Sequence, residues 1–236
     1  MTKKKICTTT IGSFPKPQYL PIIDWFDSAR GEDGMNTVKT TLEYTKYNEN
    51  KSSKDELLFV KAASEIINMQ LKAGIDVPTD GEVRRENYIH YHCRHLEGFD
   101  FNNLEHRVLR DGAYETGLPA IRSQIKHTGK YYSSHDYLSS QAVSSNPVKF
   151  TIPGPLTIMD TTADCYYDNR EKLNNDLADT VNKEILNLVD NGCVHIQIDE
   201  PLFARQVEDA LSFGIEGVER CFHKVPKKIN KIIHIC

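Results

Sequence analysis

Five short apolar runs, each separated from the next by helix-like sequence, set the main constraint on this chain. They span residues 5–12, 75–78, 147–152, 194–198 and 231–236, and the first four end in turn-forming residues. Those endings are Gly12-Ser13-Phe14-Pro15, Thr79-Asp80-Gly81-Glu82, Pro153-Gly154-Pro155 and Asp199-Glu200-Pro201. Between the runs, apolar residues recur at helical spacing. In the long pattern over 37–73 the clearest are Leu57, Leu58, Val60, Ala62, Ala63, Ile66, Ile67, Met69 and Leu71, and Ala73-Gly74 supplies a stop. A second helix is predicted over 170–191, with Leu173, Leu177, Val181, Ile185, Leu188 and Val189 on one face and Gly192 as its cap. Shorter helices are predicted over 84–95 and 203–222. Strand, helix, strand, helix in this rhythm predicts parallel βα units. Residues 97–135 break the rhythm and read as a hairpin-like excursion after the second strand. The expected fold is α/β: a single domain over 1–236 forming an incomplete (βα)8 TIM barrel, with about five of the eight strands a closed barrel needs.

Composition excludes several functions. The formal net charge is −4 with both signs mixed along the chain, so no basic stripe addresses nucleic acid. Lys3-Lys4-Lys5 reads as a solvated terminus. No apolar run approaches the ~20 residues of a membrane span, and the first residues are too short and polar a stretch for a signal peptide. The six cysteines are scattered without a CxxC pair, which fits free thiols in a cytoplasmic protein.

In a βα barrel the C-terminal strand ends carry the site. There this sequence offers Ile11-Gly12-Ser13, Asp80-Gly81-Glu82, Asp199-Glu200-Pro201 and His234-Ile235-Cys236. Period-two alternation puts His234 and Cys236 on one strand face, and imidazole with thiolate suits zinc. A zinc site takes three or four protein ligands, and this pair supplies two. Carboxylates suit an ammonium group, whereas a hydroxyl and backbone amides suit a carboxylate. Together they would hold a small zwitterion such as an amino acid. Plainer readings stand beside these. His234 and Cys236 could be core residues, Glu82 a helix N-terminal carboxylate, Ser13 a turn residue, and Asp199-Glu200-Pro201 a strand-ending turn with Glu200 supporting or solvated. The His90-x-His92-Cys93-x-x-His95 cluster is metal-like by composition, but reads as a polar, partly exposed helix surface. Tyr131-Tyr132 and Tyr166-Tyr167 read as aromatic packing.

The segments Thr8-Thr9-Thr10-Ile11-Gly12-Ser13-Phe14-Pro15, Thr79-Asp80-Gly81-Glu82-Val83-Arg84-Arg85-Glu86-Asn87-Tyr88, Thr151-Ile152-Pro153-Gly154-Pro155-Leu156-Thr157, Ile196-Gln197-Ile198-Asp199-Glu200-Pro201 and His234-Ile235-Cys236 resemble, in order, the catalytic domain of cobalamin-independent methionine synthases. The resemblance implies a zinc-dependent barrel that moves a methyl group to the thiol of homocysteine, giving methionine. By position it implies Ile11, Ser13, Glu82 and Asp199 as substrate-binding residues, and His234 and Cys236 as ligands of one Zn2+ ion. It assigns no catalytic residue within the chain. The family's proton donor, a further Glu and a further Cys are expected beyond residue 236, so a C-terminally truncated, short single-barrel form is expected. The long enzymes place a folate-stacking Trp after the Gly-Pro-x-Thr motif; here that stretch reads Met159-Asp160-Thr161-Thr162, and Trp25 is the chain's one Trp. The expected methyl donor is therefore a methyl-folate or a methyl-corrinoid protein. The alternatives are a relative acting on another thiol, such as a coenzyme thiol with an epoxide, and an inactive remnant with only a binding role.

Overall fold

A computed structural model describes residues 6–22, 38–109 and 114–236, with the side chains of Leu109 and Tyr114 excepted. Lys3-Lys4-Lys5 and Trp25 lie outside the described residues. The predicted runs stand side by side. β3 (Lys149–Pro153), β5 (His195–Asp199) and β6 (Asn230–His234) form a parallel sheet in the order β3-β5-β6. Asp199 pairs in register with both Pro153 and His234. The first two runs join this sheet through single bridges, Thr9 to Val77 and Thr79 to Lys149. Backbone bonds Val77 N to Thr8 O (3.0 Å) and Lys149 N to Pro78 O (2.9 Å) extend the array. Five extended segments thus follow one another in chain order, and their C-terminal ends open on one side.

The long pattern over 37–73 divides in two. α1 (Val38–Asn50) is followed by α2 (Ser53–Lys72), and the break is written at Ser52. Its hydroxyl accepts from Asp55 N while Asp55 accepts from Ser52 N, a reciprocal cap that starts a new helix. The later helical pattern, α6 (Arg170–Asp190), is capped by Asn169 and closes before Gly192 at φ +90°. Its Leu173, Leu177, Val181, Ile185 and Leu188 are buried against Phe150, Ile152, Ile196 and Ile198 of the sheet. Each such side chain contributes about 1.5–3 kcal/mol. Over 203–222 the chain forms α7 (Val207–Asp209), a π-helical turn (Ala210–Gly214) and α8 (Ile215–Cys221). Residues 97–135 contain a long antiparallel hairpin, β1 (Leu96–Leu109) with β2 (Tyr114–His127). β2 also pairs with the short β4 (Ala163–Asp164), next to α5 (Pro155–Asp160), and this ties the hairpin to the sheet layer. Ile121 and Ile125 of β2 enter the main core.

The histidine cluster is not the exposed surface its composition suggests. α3 (Tyr88–Cys93) is only six residues long, capped by the Asn87 side chain, and it buries Ile89, His90, Tyr91, His92 and Cys93. It lies against β3, β1 and α5, which cover its histidines. His90 reaches the Thr161 carbonyl at 3.3 Å, and His92 Nδ1 meets the Tyr132 hydroxyl at 2.8 Å. His95 stacks on Tyr132 with ring centroids 4.4 Å apart. Burial holds the His90 imidazole down to about 4 and that of His92 down to about 3. A base depressed in the folded state contributes stability above its ordinary value of 6.5, and that stability is lost as pH falls toward the folded value. Between pH 6.5 and 4 the His90 share is about 3 kcal/mol. His90→Gln should therefore flatten the loss of urea stability over this window by that amount. An unchanged pH slope would show that His90 is not held neutral.

Candidate functional site

The first segment ends in a turn, and side chains hold the carbonyls of Thr10, Ile11 and Gly12. Lys149 Nζ donates to Thr10 O (2.5 Å) and Ile11 O (3.3 Å), Gln197 Nε2 donates to Ile11 O (2.9 Å), and Thr79 Oγ1 donates to Gly12 O (2.8 Å). The amides of Ile11, Gly12 and Ser13 have no hydrogen-bond partner among the described residues. Gly12 is required by close approach, since a Cβ there would lie 2.7 Å from Glu82 Oε1. Two consecutive left-handed residues, Gly81 at φ +70° and Glu82 at φ +56°, turn Glu82 inward beneath it. The Asp80 carboxylate accepts from Glu82 N at 2.9 Å and fixes that turn.

Asp199 ends β5 opposite His234. It accepts from Gln197 Nε2 at 2.6 Å and lies 3.1 Å from His234 Nδ1. Burial, then the nearby charge of Glu82, pushes its carboxyl up to about 6. Gln197 also accepts from Lys149 Nζ at 2.5 Å. A chain of contacts thus runs from a buried ammonium through Gln197 and Asp199 to His234. Burial holds the Lys149 ammonium below its ordinary value. Lys149 and Gln197 are absent from the set of residues expected at the site, although the sequence carries a signal for both. Lys149 and Thr151 in one apolar run, and Gln197 and Asp199 in another, are polar residues two apart, facing the same way.

Glu200 goes elsewhere. Its fully buried carboxylate accepts from Leu156 N (3.0 Å), Thr157 N (3.0 Å) and Thr157 Oγ1 (2.7 Å), serving the start of α5, where Gly154 offers no side-chain cap. Burial pushes this carboxyl up to about 7.

Ile11, Ser13, Glu82, Asp199, His234 and Cys236 all line one cavity of about 220 Å3 at the C-terminal ends of the strands. Arg85, Lys16 and Tyr88 are also part of its wall. A wider opening of about 640 Å3, lined in part by Thr9, His195 and Asn230, lies at the other ends of the strands, away from the carboxylates. In the first cavity the acidic pair and the free turn amides offer the two halves of a zwitterion their opposite partners.

The same residues bear on zinc. Imidazole and thiolate are the right donors, and a carboxylate at Nδ1 is the usual orienting partner of a ligating histidine. The count falls short. Among the described residues no three His, Cys, Asp or Glu side chains gather as a metal cage. The described residues therefore do not fit a whole zinc site.

Comparison with known proteins agrees with this geometry. A family model described as the catalytic domain of cobalamin-independent synthase matches residues 6–212. The methionine synthase of Saccharolobus solfataricus is 32% identical over 231 residues, covering 97% of this chain and 62% of that protein. The methionine synthase of Sulfolobus acidocaldarius is 29% identical over 229 residues, covering 97% and 60%. The structure of a B12-independent methionine synthase from Shewanella sp. W3-18-1, in complex with selenomethionine, superposes with a TM-score of 0.79 at 27% identity, covering 97% of this chain and 61% of that one. The chain therefore spans about three-fifths of the length of the relatives it matches. With the fold, the strand-end motifs and these likenesses together, the chain belongs to the catalytic-domain family of cobalamin-independent methionine synthases, an α/β fold of the TIM-barrel type.

Proposed function

We propose that this cavity binds homocysteine and its S-methylated product, methionine, in a methyl transfer to the homocysteine thiol. The observation that supports it is the meeting of Glu82, Asp199 and the Ile11–Ser13 turn in one cavity with His234 and Cys236. Glu82 and Asp199 take the ammonium group, the turn amides and Ser13 take the carboxylate, and the sulfur points to the His234 and Cys236 end. The substrate thiolate attacks the methyl carbon in line. The bond from carbon to the donor breaks with its electron pair leaving on the donor, which then takes up a proton. Holding the thiol by its amino-acid end makes this encounter effectively unimolecular.

The donor that fits the family is a methyl-folate; a methyl-corrinoid protein has no support in the comparisons. The zwitterion-matched wall and the methionine synthase relatives favour homocysteine over a coenzyme thiol. Zinc dependence belongs to the family in general, and His234 and Cys236 are the donors this chain offers it. We read the domain as one partial barrel over 1–236, with about five of eight strands and 97–135 as its excursion. A cytoplasmic setting fits the free cysteines, and no described helix is long and apolar enough to cross a membrane.

Calorimetry with L-homocysteine and L-methionine tests the reading, beside mass-spectrometric detection of methionine made from homocysteine and methyl-folate. Both amino acids should bind with submillimolar Kd. Absence of binding by either would overturn the substrate assignment. Binding without turnover would identify a receptor for the amino acid rather than a complete catalyst.

A further inference from the structure

Glu82 is held by a device that its own motif does not announce. A non-glycine residue in the left-handed region costs on the order of 1 kcal/mol, so something must fix the inward-turned side chain. Thr151 Oγ1 donates to Glu82 Oε1 at 2.7 Å, and Arg85 Nη1 donates to the same hydroxyl at 3.0 Å while lying 3.6 Å from that carboxylate oxygen. Arg85 is 3% exposed, with its guanidinium 4.9 Å from the centre of the Phe150 ring. Its Nε and Nη2 have no hydrogen-bond partner among the described residues. Burying a guanidinium with donors unmet is costly, and a residue needed only to fill space would not carry that cost. The other ionisable groups facing Glu82 are Asp80, Asp199, Tyr88 and Lys149. Lys149 is committed to two carbonyls and Gln197. Arg85 lies within ion-pair distance of Glu82.

We propose that Arg85 and Thr151 form a clamp that fixes the Glu82 carboxylate as the receptor for the substrate ammonium group, with Arg85 as a positioning residue. This deepens the amino-acid reading of the cavity and rests on it. Arg85 touches no substrate in this scheme. It sets where a carboxylate stands, and so discriminates between ligands with and without an ammonium group.

The test compares L-methionine with 4-methylthiobutanoate, which lacks the amino group, by calorimetry on the 236-residue chain. Arg85→Gln should weaken L-methionine about 30-fold and the amino-free analogue less than about 3-fold. Arg85→Lys should recover most of the loss, and Thr151→Val should reproduce part of it. Equal weakening of both ligands, no weakening of L-methionine, or no recovery by Arg85→Lys would overturn the proposal. A second readout needs no ligand. In urea unfolding, Arg85→Gln and Glu82→Gln should be non-additive by about tenfold in the unfolding equilibrium constant. If the unsubstituted chain ignores L-methionine, the amino-acid reading fails on its own. The urea cycle still judges the clamp, and additive effects would reject it.

Discussion

Replacing Gly154 by Ala should lower the stability of the chain by about 4 kcal/mol. The added Cβ would stand 2.2 Å from Glu200 Oε1, 2.3 Å from its Cδ and 2.4 Å from its Cγ. Glu200 cannot step aside cheaply, because its side chain is fully buried and accepts three hydrogen bonds from Leu156 and Thr157. Moving it would orphan the first amides of α5, and keeping it would push the Gly154 backbone off β5, where Gly154 N donates to Asp199 O at 2.9 Å. Either route also displaces Asp199. Urea unfolding would measure the loss. A change below about 1 kcal/mol would show that Glu200 relaxes freely and that the carboxylate is not the cap of α5.

The largest expected effect on binding comes from removing both acidic charges. Glu82→Gln with Asp199→Asn should weaken L-methionine about 1000-fold, since a charge-assisted hydrogen bond contributes about 1.5–3 kcal/mol and two are lost. Both replacements are near-isosteric and relieve the repulsion between two buried carboxylates, but Glu82→Gln also leaves the buried Arg85 guanidinium without its counter-charge, so a moderate fall in melting temperature without loss of the fold is expected. Calorimetry beside a thermal melt separates the outcomes. Retained affinity would place the ammonium elsewhere, and collapse of the fold would make the pair structural.

Much of this is legible in the sequence, for physical reasons. Strand-end turns depend on Gly, Pro and Asp, whose backbone preferences are local, so residue types alone locate the ends of the first four runs. The resemblance marks Ile11, Ser13, Glu82, Asp199, His234 and Cys236 as one set, and the fold brings them to one cavity. The rest is decided across the chain. The break at Ser52 hides in a polar tetrad inside a continuous helical pattern. His90 and His92 look solvated until the hairpin and α4 (Ser133–Gln141), with Tyr132 just ahead of it, close over them. Glu200 follows Asp199 directly, yet alternation sends the two carboxylates to different tasks. Lys149 is separated by 139 residues from the carbonyl of Thr10 that it holds, a pairing no local pattern announces.

That pairing has a kinetic side. Residues 8–13 are fastened to the neighbouring segments by one backbone bridge and otherwise through side chains, among them Asp76, Gln70, Thr79, Lys149 and Gln197. A strip attached in this way opens with its own free energy, below that of the β3-β5-β6 ladder. Its amides should exchange with deuterium ahead of those in β5, at a rate governed by these side-chain contacts rather than by the core. A ligand that joins the strip to Glu82 would slow that exchange in proportion to its occupancy. Protection at Ile11 and Ser13 would then report ligand affinity directly, with no turnover required.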